Sequence, residues 1–151
     1  MLGSVLASVA PPMAVATEGG VTYVHVPEGT GVDLTGNSPG HVEFMFVATE
    51  DTTVTFEVEV LTPNGGSDSV FLQVDDGEDS SVFQDFPVCT EWCWASTKPV
   101  SASLGRHTLR LIHREDGLQV ANVRVLEGSA TFQLSGECCG REWTCRVIVQ
   151  C

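Results

Sequence analysis

The sequence predicts an all-β protein built as an antiparallel β-sandwich of the jelly-roll type. Three observations lead to this prediction. Short segments alternate apolar and polar residues with the period of a half-buried strand. Turns rich in Gly, Asn and Asp separate these segments. No stretch of about a dozen residues shows the helical period. Regular short strands joined by such turns are typical of sandwiches and jelly rolls.

The alternation predicts five strands in the central part of the chain. They are HVEFMFVA (41–48), TTVTFEVEVL (52–61), SVFLQVDD (69–76), RHTLRLIHR (106–114) and LQVANVRVLE (118–127). The second is the clearest, since every other residue from Val54 to Val60 is apolar. The fifth is apolar on both faces, as expected for a central strand. Turn sequences separate the runs: PNGGSD (63–68), DDGED (75–79), SLG (103–105) and EDG (115–117).

Both ends of the chain differ from this central part. Residues 1–18 are apolar and contain AVA, the small-x-small pattern of a signal-peptidase site, but they lack a basic start and a Pro-Pro pair interrupts them. We interpret 1–18 as a signal remnant or flexible leader outside the fold. Residues 19–128 are then the sandwich domain. Residues 129–151 hold four cysteines and are predicted to form a cysteine-rich hairpin or the start of another domain.

The charge of the chain is strongly asymmetric. Its net charge of -13 argues against nucleic acid or an anionic membrane as a partner. Residues 1–97 carry 15 acidic side chains and no Lys or Arg, whereas residues 98–151 carry all seven basic ones. Two interpretations stay open. Acidic strands pair with basic strands inside one fold, or the chain attracts copies of itself or neighbouring domains head to tail.

Six cysteines favour an oxidising compartment, so we expect a secreted, extracellular protein. Cys89 and Cys93 form the local pair. The adjacent Cys138 and Cys139 are poorly placed to bond each other and are expected to reach Cys145 and Cys151. The full connectivity stays open. A zinc site is the alternative, although the spacing of the last four cysteines fits it poorly.

The segment CTEWCW (89–94) has two possible conformations. In an extended strand the Cα atoms of Cys89 and Cys93 would lie about 13 Å apart. A disulfide requires about 7 Å or less, so each cysteine would then pair elsewhere or stay free. In a loop the two cysteines can bond each other and fix the neighbouring indole rings at the edge of the sandwich.

Three stretches carry a resemblance to a known family: TPNGGSDSVFLQVDDG (62–77), WCW (92–94) and SLGRHTLRLIHREDGLQVANVRVLE (103–127). The last is the most specific, because it spans 25 residues and sets a turn, a strand, a second turn and a strand in order. Through them the chain resembles carbohydrate-binding modules of the galactose-binding-like sandwich type, similar to families 6 and 35. The resemblance implies a non-catalytic sugar binder with its site in loops at one end of the sandwich.

The resemblance also implies particular site residues. The aromatic positions correspond to Trp92 and Trp94, and the amide before the last strand corresponds to Gln119. Asp116 is a further candidate for binding sugar hydroxyls, although a turn aspartate more often bonds nearby backbone. The alternative for the two tryptophans is burial in the core. Because the family places this segment among its loops, the resemblance favours a Cys89–Cys93 disulfide.

No metal or other cofactor is expected. The acidic residue that helps such modules hold a structural calcium corresponds here to Ala121, and the first strand, VTYVHV, lacks the expected glutamate. Calcium takes roughly six to eight oxygen ligands, so little remains to hold it. The run DDGEDS (75–80) lacks EF-hand spacing and is interpreted as a solvated loop. The histidines lack metal-binding spacing and no G-x-S-x-G motif occurs, so an enzyme is not expected.

The sequence therefore predicts a non-catalytic extracellular module that binds a glycan or polysaccharide through loop aromatic and amide side chains. The alternative is a structural or adhesive subunit of an extracellular matrix, sheath or filament. In that case the sandwich is a building block, and the charge asymmetry and cysteine-rich tail make the subunit contacts.

Overall fold

The computed structural model describes residues 3–75, 82–132 and 145–149, with side chains from 8–75 and 82–132. All regular elements in these ranges are β-strands, which confirms the all-β prediction. The strands are β1 (Gly3–Ala10), β2 (Ala14–Glu18), β3 (Val21–His25), β4 (His41–Ala48), β5 (Thr52–Thr62), β6 (Ser69–Val74), β7 (Val82–Asp85), β8 (Cys89–Ser96), β9 (Val100–Ala102), β10 (Gly105–His113), β11 (Gln119–Glu127), β12 (Ala130–Phe132) and β13 (Cys145–Val149). No helix of membrane-spanning length and apolarity occurs in these ranges.

The strands form two antiparallel sheets, as predicted for a sandwich. In the first sheet β4 and β10 are central, with β1 and β12 beside β4 and with β6 and then β7 beside β10. In the second sheet β11 lies between β3 and β5, with β2 outside β3 and with β8 and β9 outside β5. The strand β13 joins the sheets at one side, parallel to β1 and antiparallel to β11.

The core lies between the two sheets and follows from the alternation of the sequence. Its largest fully buried side chains come from β3, β4, β5, β6 and β10 and from the residue that follows β3. They are Val24, Val26, Val42, Phe44, Phe46, Val54, Phe56, Val58, Leu72, Leu109 and Leu111. The rings of Phe46 and Phe56 meet edge to face across the sandwich, with centroids 5.3 Å apart. Full burial of one such side chain stabilises the fold by roughly 1.5–3 kcal/mol, so this layer is the main source of stability.

Acidic and basic strands pair inside the fold. Arg110 on β10 lies opposite Glu43 on β4, with Nε and Oε2 2.5 Å apart. Arg124 on β11 lies opposite Glu57 on β5, with a closest N–O distance of 2.6 Å. For these pairs the first interpretation of the charge asymmetry is confirmed, because the late basic residues neutralise acids that precede them in the chain.

Residues 3–18 differ from the expected position outside the fold. β1 pairs with β4 along Ala7–Ala10, and β2 pairs with β3 along its whole length. Val9 packs against the core and Met13 is buried within it. Short apolar runs with small residues suit a strand as well as a leader, so composition alone did not separate the two.

The predicted C-terminal hairpin lies only partly within the described residues. β12 pairs with β4, and β13 pairs with β1 and β11, so in the described ranges both strands join the sandwich. The predicted pairings of Cys138, Cys139, Cys145 and Cys151, and the alternative zinc site, lie outside the described side chains.

Candidate functional site

The segment 89–94 is a strand that contains a disulfide. β8 pairs with β5, with Cys93 opposite Val60 and Cys89 opposite Thr62. Four residue steps of β8 therefore run beside two steps of β5, and residues 90–92 form a bulge. This brings the Cα atoms of Cys89 and Cys93 to 6.1 Å and allows the disulfide between them. The local disulfide is confirmed, but the expectation that a strand would exclude it was wrong.

Both ends of the bulge are anchored to the fold. The backbone N–H of Cys89 donates to the hydroxyl of Thr62 at 2.6 Å, and that hydroxyl donates to the carbonyl of Pro87 at 2.6 Å. Thr62 is fully buried, so this polar link is shielded from water. At the other end Cys93 packs against the core. The bulge is thus a defined loop between two fixed points.

Trp92, within the bulge, reaches across the outer face of the second sheet. Its ring centroid lies 5.9 Å from that of Tyr23 on β3, although β5 and β11 separate β8 from β3. Tyr23 in turn packs edge-on against His25 at 5.4 Å. Val24 between them points into the core, so Tyr23 and His25 belong to the outer face. Three rings therefore form a continuous aromatic group on this face.

Gln119 lies on the same outer face. It is the register partner of His25 on β3 and of Leu61 on β5, while its neighbour Val120 is buried in the core. The side chain is half-buried and carries both hydrogen-bond donors and an acceptor. Burial lowers the pKa of His25, which keeps its imidazole neutral at neutral pH and able both to donate and to accept. The structure thus places Gln119 on the face that carries Trp92 and Tyr23.

Trp94 lies further along β8, opposite Glu59 on β5. The guanidinium carbon of Arg124 is 4.1 Å from the centroid of its ring, in cation–π geometry. Because Arg124 is also paired with Glu57, one face of the Trp94 indole is covered by a group that is held in place. Neither Trp92 nor Trp94 belongs to the buried core, so the core alternative does not describe them.

Asp116 is a tether for a long loop. Its Oδ2 accepts backbone N–H groups from Gly29 at 2.8 Å and Gly31 at 2.9 Å. These bonds, that from Gly31 first, hold the pKa of Asp116 below its usual range. The aspartate therefore bonds backbone, as a turn residue was expected to do, but the backbone belongs to a distant segment rather than to its own turn.

Residues 27–40 form that loop, and buried His113 fixes it as well. Its imidazole contacts the hydroxyl of Ser38 at 3.0 Å and the carbonyl of Gly31 at 2.9 Å. His113 is buried and both of its ring nitrogens make hydrogen bonds, so its role is structural. The loop nevertheless exposes Val32 and Leu34, which are 56% and 71% accessible. The loop is held by these hydrogen bonds beside the turn that precedes Gln119.

Two residues of this face were not predicted as site residues. Tyr23 is buried, with 6% of its surface exposed, and its contact with Trp92 shows its position in the aromatic group. Asn122 donates to Glu59 through its amide nitrogen, while its buried Oδ1 has no hydrogen-bond partner among the described residues. The alternation of β3 and β11 places both side chains outward, but the pairing of these strands is not evident from the sequence.

The described residues contain no cluster of three or more potential metal ligands. Ala121, at the position of the expected calcium carboxylate, is buried at a register shift of β11. From the acidic run, Asp75 bonds His107 and the backbone N–H of Thr108. The rest of that run lies outside the described residues.

Comparison with known proteins finds a likeness in three-dimensional structure. No protein-family model and no curated protein matches the chain. A family 35 carbohydrate-binding module from Clostridium thermocellum superposes with a TM-score of 0.59 at 17% identity, covering 81% of this chain and 92% of that one. The fold is that of these modules. A family 6 module from Clostridium cellulolyticum, in complex with xylose, gives 0.52 at 15% identity and covers 83% of this chain and 89% of that one.

A similar domain also occurs inside a larger protein. A cycloisomaltooligosaccharide glucanotransferase from Paenibacillus sp. matches with a TM-score of 0.51 at 16% identity. The match covers 76% of this chain but only 17% of the length of that protein. At these identities the likeness concerns the fold, and it confirms the predicted galactose-binding-like sandwich.

Proposed function

We propose that this chain is a non-catalytic glycan-binding module whose site lies on the outer face of the second sheet around Trp92. The observation that carries the proposal is the Trp92–Tyr23 ring pair, 5.9 Å between centroids, on a face that also carries Gln119. The fold, shared with modules of families 6 and 35, supports the same function.

The side chains of this face match the chemistry of a sugar. The C–H faces of a pyranose ring stack on aromatic rings, and half-buried Trp92 supplies such a ring. Tyr23, of which 6% is exposed, supports the Trp92 ring from below. Sugar hydroxyls both donate and accept hydrogen bonds, and they need partners of the same kind. The amide of Gln119 and the neutral imidazole of His25, which are strand partners, provide them. The proposed contacts are therefore stacking on the Trp92 ring and hydrogen bonds to the Gln119 amide and the His25 imidazole.

Trp94 and Asp116 have secondary roles in the proposed site. Trp94 extends the aromatic surface along β8, but Arg124 covers one of its faces. Asp116 acts through the loop that it holds, since one of its oxygens already accepts two backbone N–H groups. We rank Trp92 and Gln119 as the direct contacts, and Tyr23, Trp94 and Asp116 as support.

An extracellular location and the absence of catalysis are part of the proposal. The Cys89–Cys93 disulfide forms and persists in oxidising surroundings, which supports secretion. On the face that carries Trp92, the described carboxylates of Glu57 and Glu59 bond Arg124 and Asn122. A general acid or base must instead be positioned to exchange a proton with substrate. Binding without turnover fits this arrangement.

The test is isothermal titration calorimetry on soluble xylan, galactan and β-glucan, with products assayed after prolonged incubation. We expect binding to at least one polymer and no release of sugar. Trp92→Ala should weaken binding by about tenfold or more and Gln119→Ala by a similar factor, since each removes one direct contact. Leu104→Ala, an exposed apolar change in the turn before β10, is the matched control and should bind as the wild type does. Absence of binding to all three polymers by the wild type would contradict the proposal.

The structural-subunit alternative has less support. Its main basis was the charge asymmetry, and Arg110, Arg114 and Arg124 pair with carboxylates of the same chain. Sedimentation at high protein concentration and low salt tests it: a concentration-dependent assembly would favour the alternative, and a monomer would not.

A further inference from the structure

We propose that Cys89 and Cys93 are positioning residues of the glycan site, because their disulfide holds the bulge that presents Trp92 to Tyr23. This rests on the proposed glycan-binding function and assigns the disulfide a role in affinity rather than in the fold. Three features of the structure lead to it: the size of the bulge, its exposure and the independent anchoring of its ends.

The bulge is too large to be held by strand pairing alone. Between Cys89 and Cys93 the chain advances four residues, whereas β5 advances only from Thr62 to Val60. The intervening residues 90–92 have no register partner on β5. Unpaired residues at a sheet edge regain conformational freedom unless another contact fixes them. The disulfide, with a Cα separation of 6.1 Å, closes this loop directly at its base.

Burial does not hold the bulge either. Thr90 and Glu91 are exposed, and Trp92 is only half-buried. The remaining described ring contact of Trp92 is with Tyr23, 5.9 Å away. Such an aromatic pair contributes about 0.5–1.5 kcal/mol beyond the area that it buries, which is comparable to fixing one residue of backbone. The ring pair alone is therefore too weak to order three residues.

The sandwich, in contrast, does not depend on the disulfide. At one end Thr62 links the N–H of Cys89 to the carbonyl of Pro87, and at the other end Cys93 packs on the core. The closed loop is short, and the constraint that a disulfide puts on the unfolded chain grows with loop length. Removing this disulfide should thus cost little global stability while freeing residues 90–92.

Freeing these residues weakens a ligand that stacks on Trp92. The ring must then be ordered at the moment of binding, and each immobilised side chain and backbone unit subtracts from the affinity. We expect the affinity to fall by about tenfold, the factor that corresponds to ordering one or two residues.

The experiment compares the wild type with the double variant Cys89→Ser/Cys93→Ser, using Thr90→Ala as the control within the bulge. Titration calorimetry with xylan, galactan and β-glucan measures affinity, near-ultraviolet circular dichroism reports the ring pair, and thermal unfolding reports stability. The double variant should lose about tenfold in affinity and part of the aromatic signal, with a small change in Tm. Thr90→Ala should change none of the three. Unchanged affinity in a folded double variant would overturn the proposal.

If the double variant does not fold, a second measurement on the wild type tests the proposal. The folded wild type is treated with a phosphine and water: the disulfide gains two electrons and two protons to give two thiols, and the phosphine becomes its oxide. Mass spectrometry after alkylation identifies the protein reduced at Cys89 and Cys93. Retained affinity in that protein overturns the proposal, as does global unfolding on reduction. If the oxidised wild type binds no glycan, the proposed function itself fails. That outcome is distinct from retained affinity or global unfolding of the reduced protein.

Discussion

Glu115 accepts both the backbone N–H and the hydroxyl of Ser69 on a single carboxylate oxygen, at 3.0 and 2.6 Å. The same oxygen accepts the N–H of Asp68 at 3.0 Å, and the other oxygen accepts Arg114 at 2.6 Å. Burial raises the pKa of Glu115, but these hydrogen bonds and the charge of Arg114 outweigh it, so the pKa lies below its usual value. The carboxylate joins the turn before β6 to the turn before β11.

Replacing Glu115 by Gln should therefore destabilise the protein. An amide cannot satisfy four donors on its two ends, so at least one donor loses its partner, at a cost of about 1–3 kcal/mol in the free energy of unfolding. Urea denaturation at neutral pH measures the change. Glu18→Gln, on the exposed end of β2, is the control and should stay close to the wild type. A Glu115→Gln variant as stable as this control would show that the four hydrogen bonds have little net value.

Stability should also depend on pH through the same carboxylate. Its pKa is lowered in the folded protein, so its contribution is present above the ordinary pKa of 4.5 and is lost as the pH falls through the folded pKa. The difference in the free energy of unfolding between wild type and Glu115→Gln should therefore shrink as the pH is lowered from neutrality to about 3. A difference that stays constant over this range would contradict the assignment.

The His107–Asp75 pair should act in the opposite direction. The hydrogen bond that His107 donates to the carboxylate of Asp75, and then the one that it donates to the carbonyl of Ser103, raise the pKa of His107 above 6.5. Its stabilisation is therefore present below pH 6.5 and is lost as the pH rises through the folded pKa. The stability advantage of the wild type over Asp75→Asn, measured by urea denaturation, should shrink between about pH 6 and 9. Asparagine tolerates the positive φ of 59° at this position, so the backbone stays the same. An advantage that grew with pH would reverse the sign and contradict the assignment.

Gly128 should not tolerate a side chain. It has a φ of 104°, and a Cβ there would lie 2.5 Å from the carbonyl oxygen of Thr53. Gly128→Ala thus adds a backbone clash to the strain of the left-handed region, which alone costs about 1–3 kcal/mol. Gly20, with a φ of 80° and open space around it, isolates the strain. Thermal unfolding should show a larger loss of Tm for Gly128→Ala than for Gly20→Ala, and equal losses would exclude the clash.

Asp116→Ala should release the loop of residues 27–40. The variant loses the acceptor for the N–H groups of Gly29 and Gly31. Hydrogen exchange followed by mass spectrometry should show faster exchange in peptides that contain these two glycines, with little change in the core strands. Glu28→Ala, an exposed change in the same loop, is the control. Protection that persists in the Asp116 variant would show that the two hydrogen bonds of Asp116 are not needed to hold the loop.

Local sequence was sufficient for the central strands. β4, β5, β10 and β11 fall within a residue or two of the predicted ranges. β4 and β5 each bury one face and so alternate, whereas the sequence of β11 is apolar on both faces. The residues that alternate inward in β5 are all fully buried. Strand identity in such segments is set by the period of the sequence, and the period is visible in a single chain.

Features that depend on the register between strands could not be predicted from the sequence in the same way. Whether Cys89 and Cys93 meet is decided by how many residues of β8 oppose β5, and a bulge changes that number without a local signal. The proximity of Tyr23 and Trp92, 69 positions apart, depends on the order β3–β11–β5–β8 in the second sheet. The candidate residues Trp92 and Gln119 came from a family resemblance, which carries such information on sheet order indirectly.

The bulge also changes the edge of the second sheet, where β8 is the outermost strand. In the described part of the chain β8 pairs with β5 alone, so its other side presents backbone groups to the surroundings. A regular edge strand of this kind is a template on which another chain can add a strand. Residues 90–92 break the regular spacing of those groups, and the cross-linked cysteines prevent the segment from straightening. We therefore expect the bulge to hinder the addition of another strand, and so aggregation, along this edge.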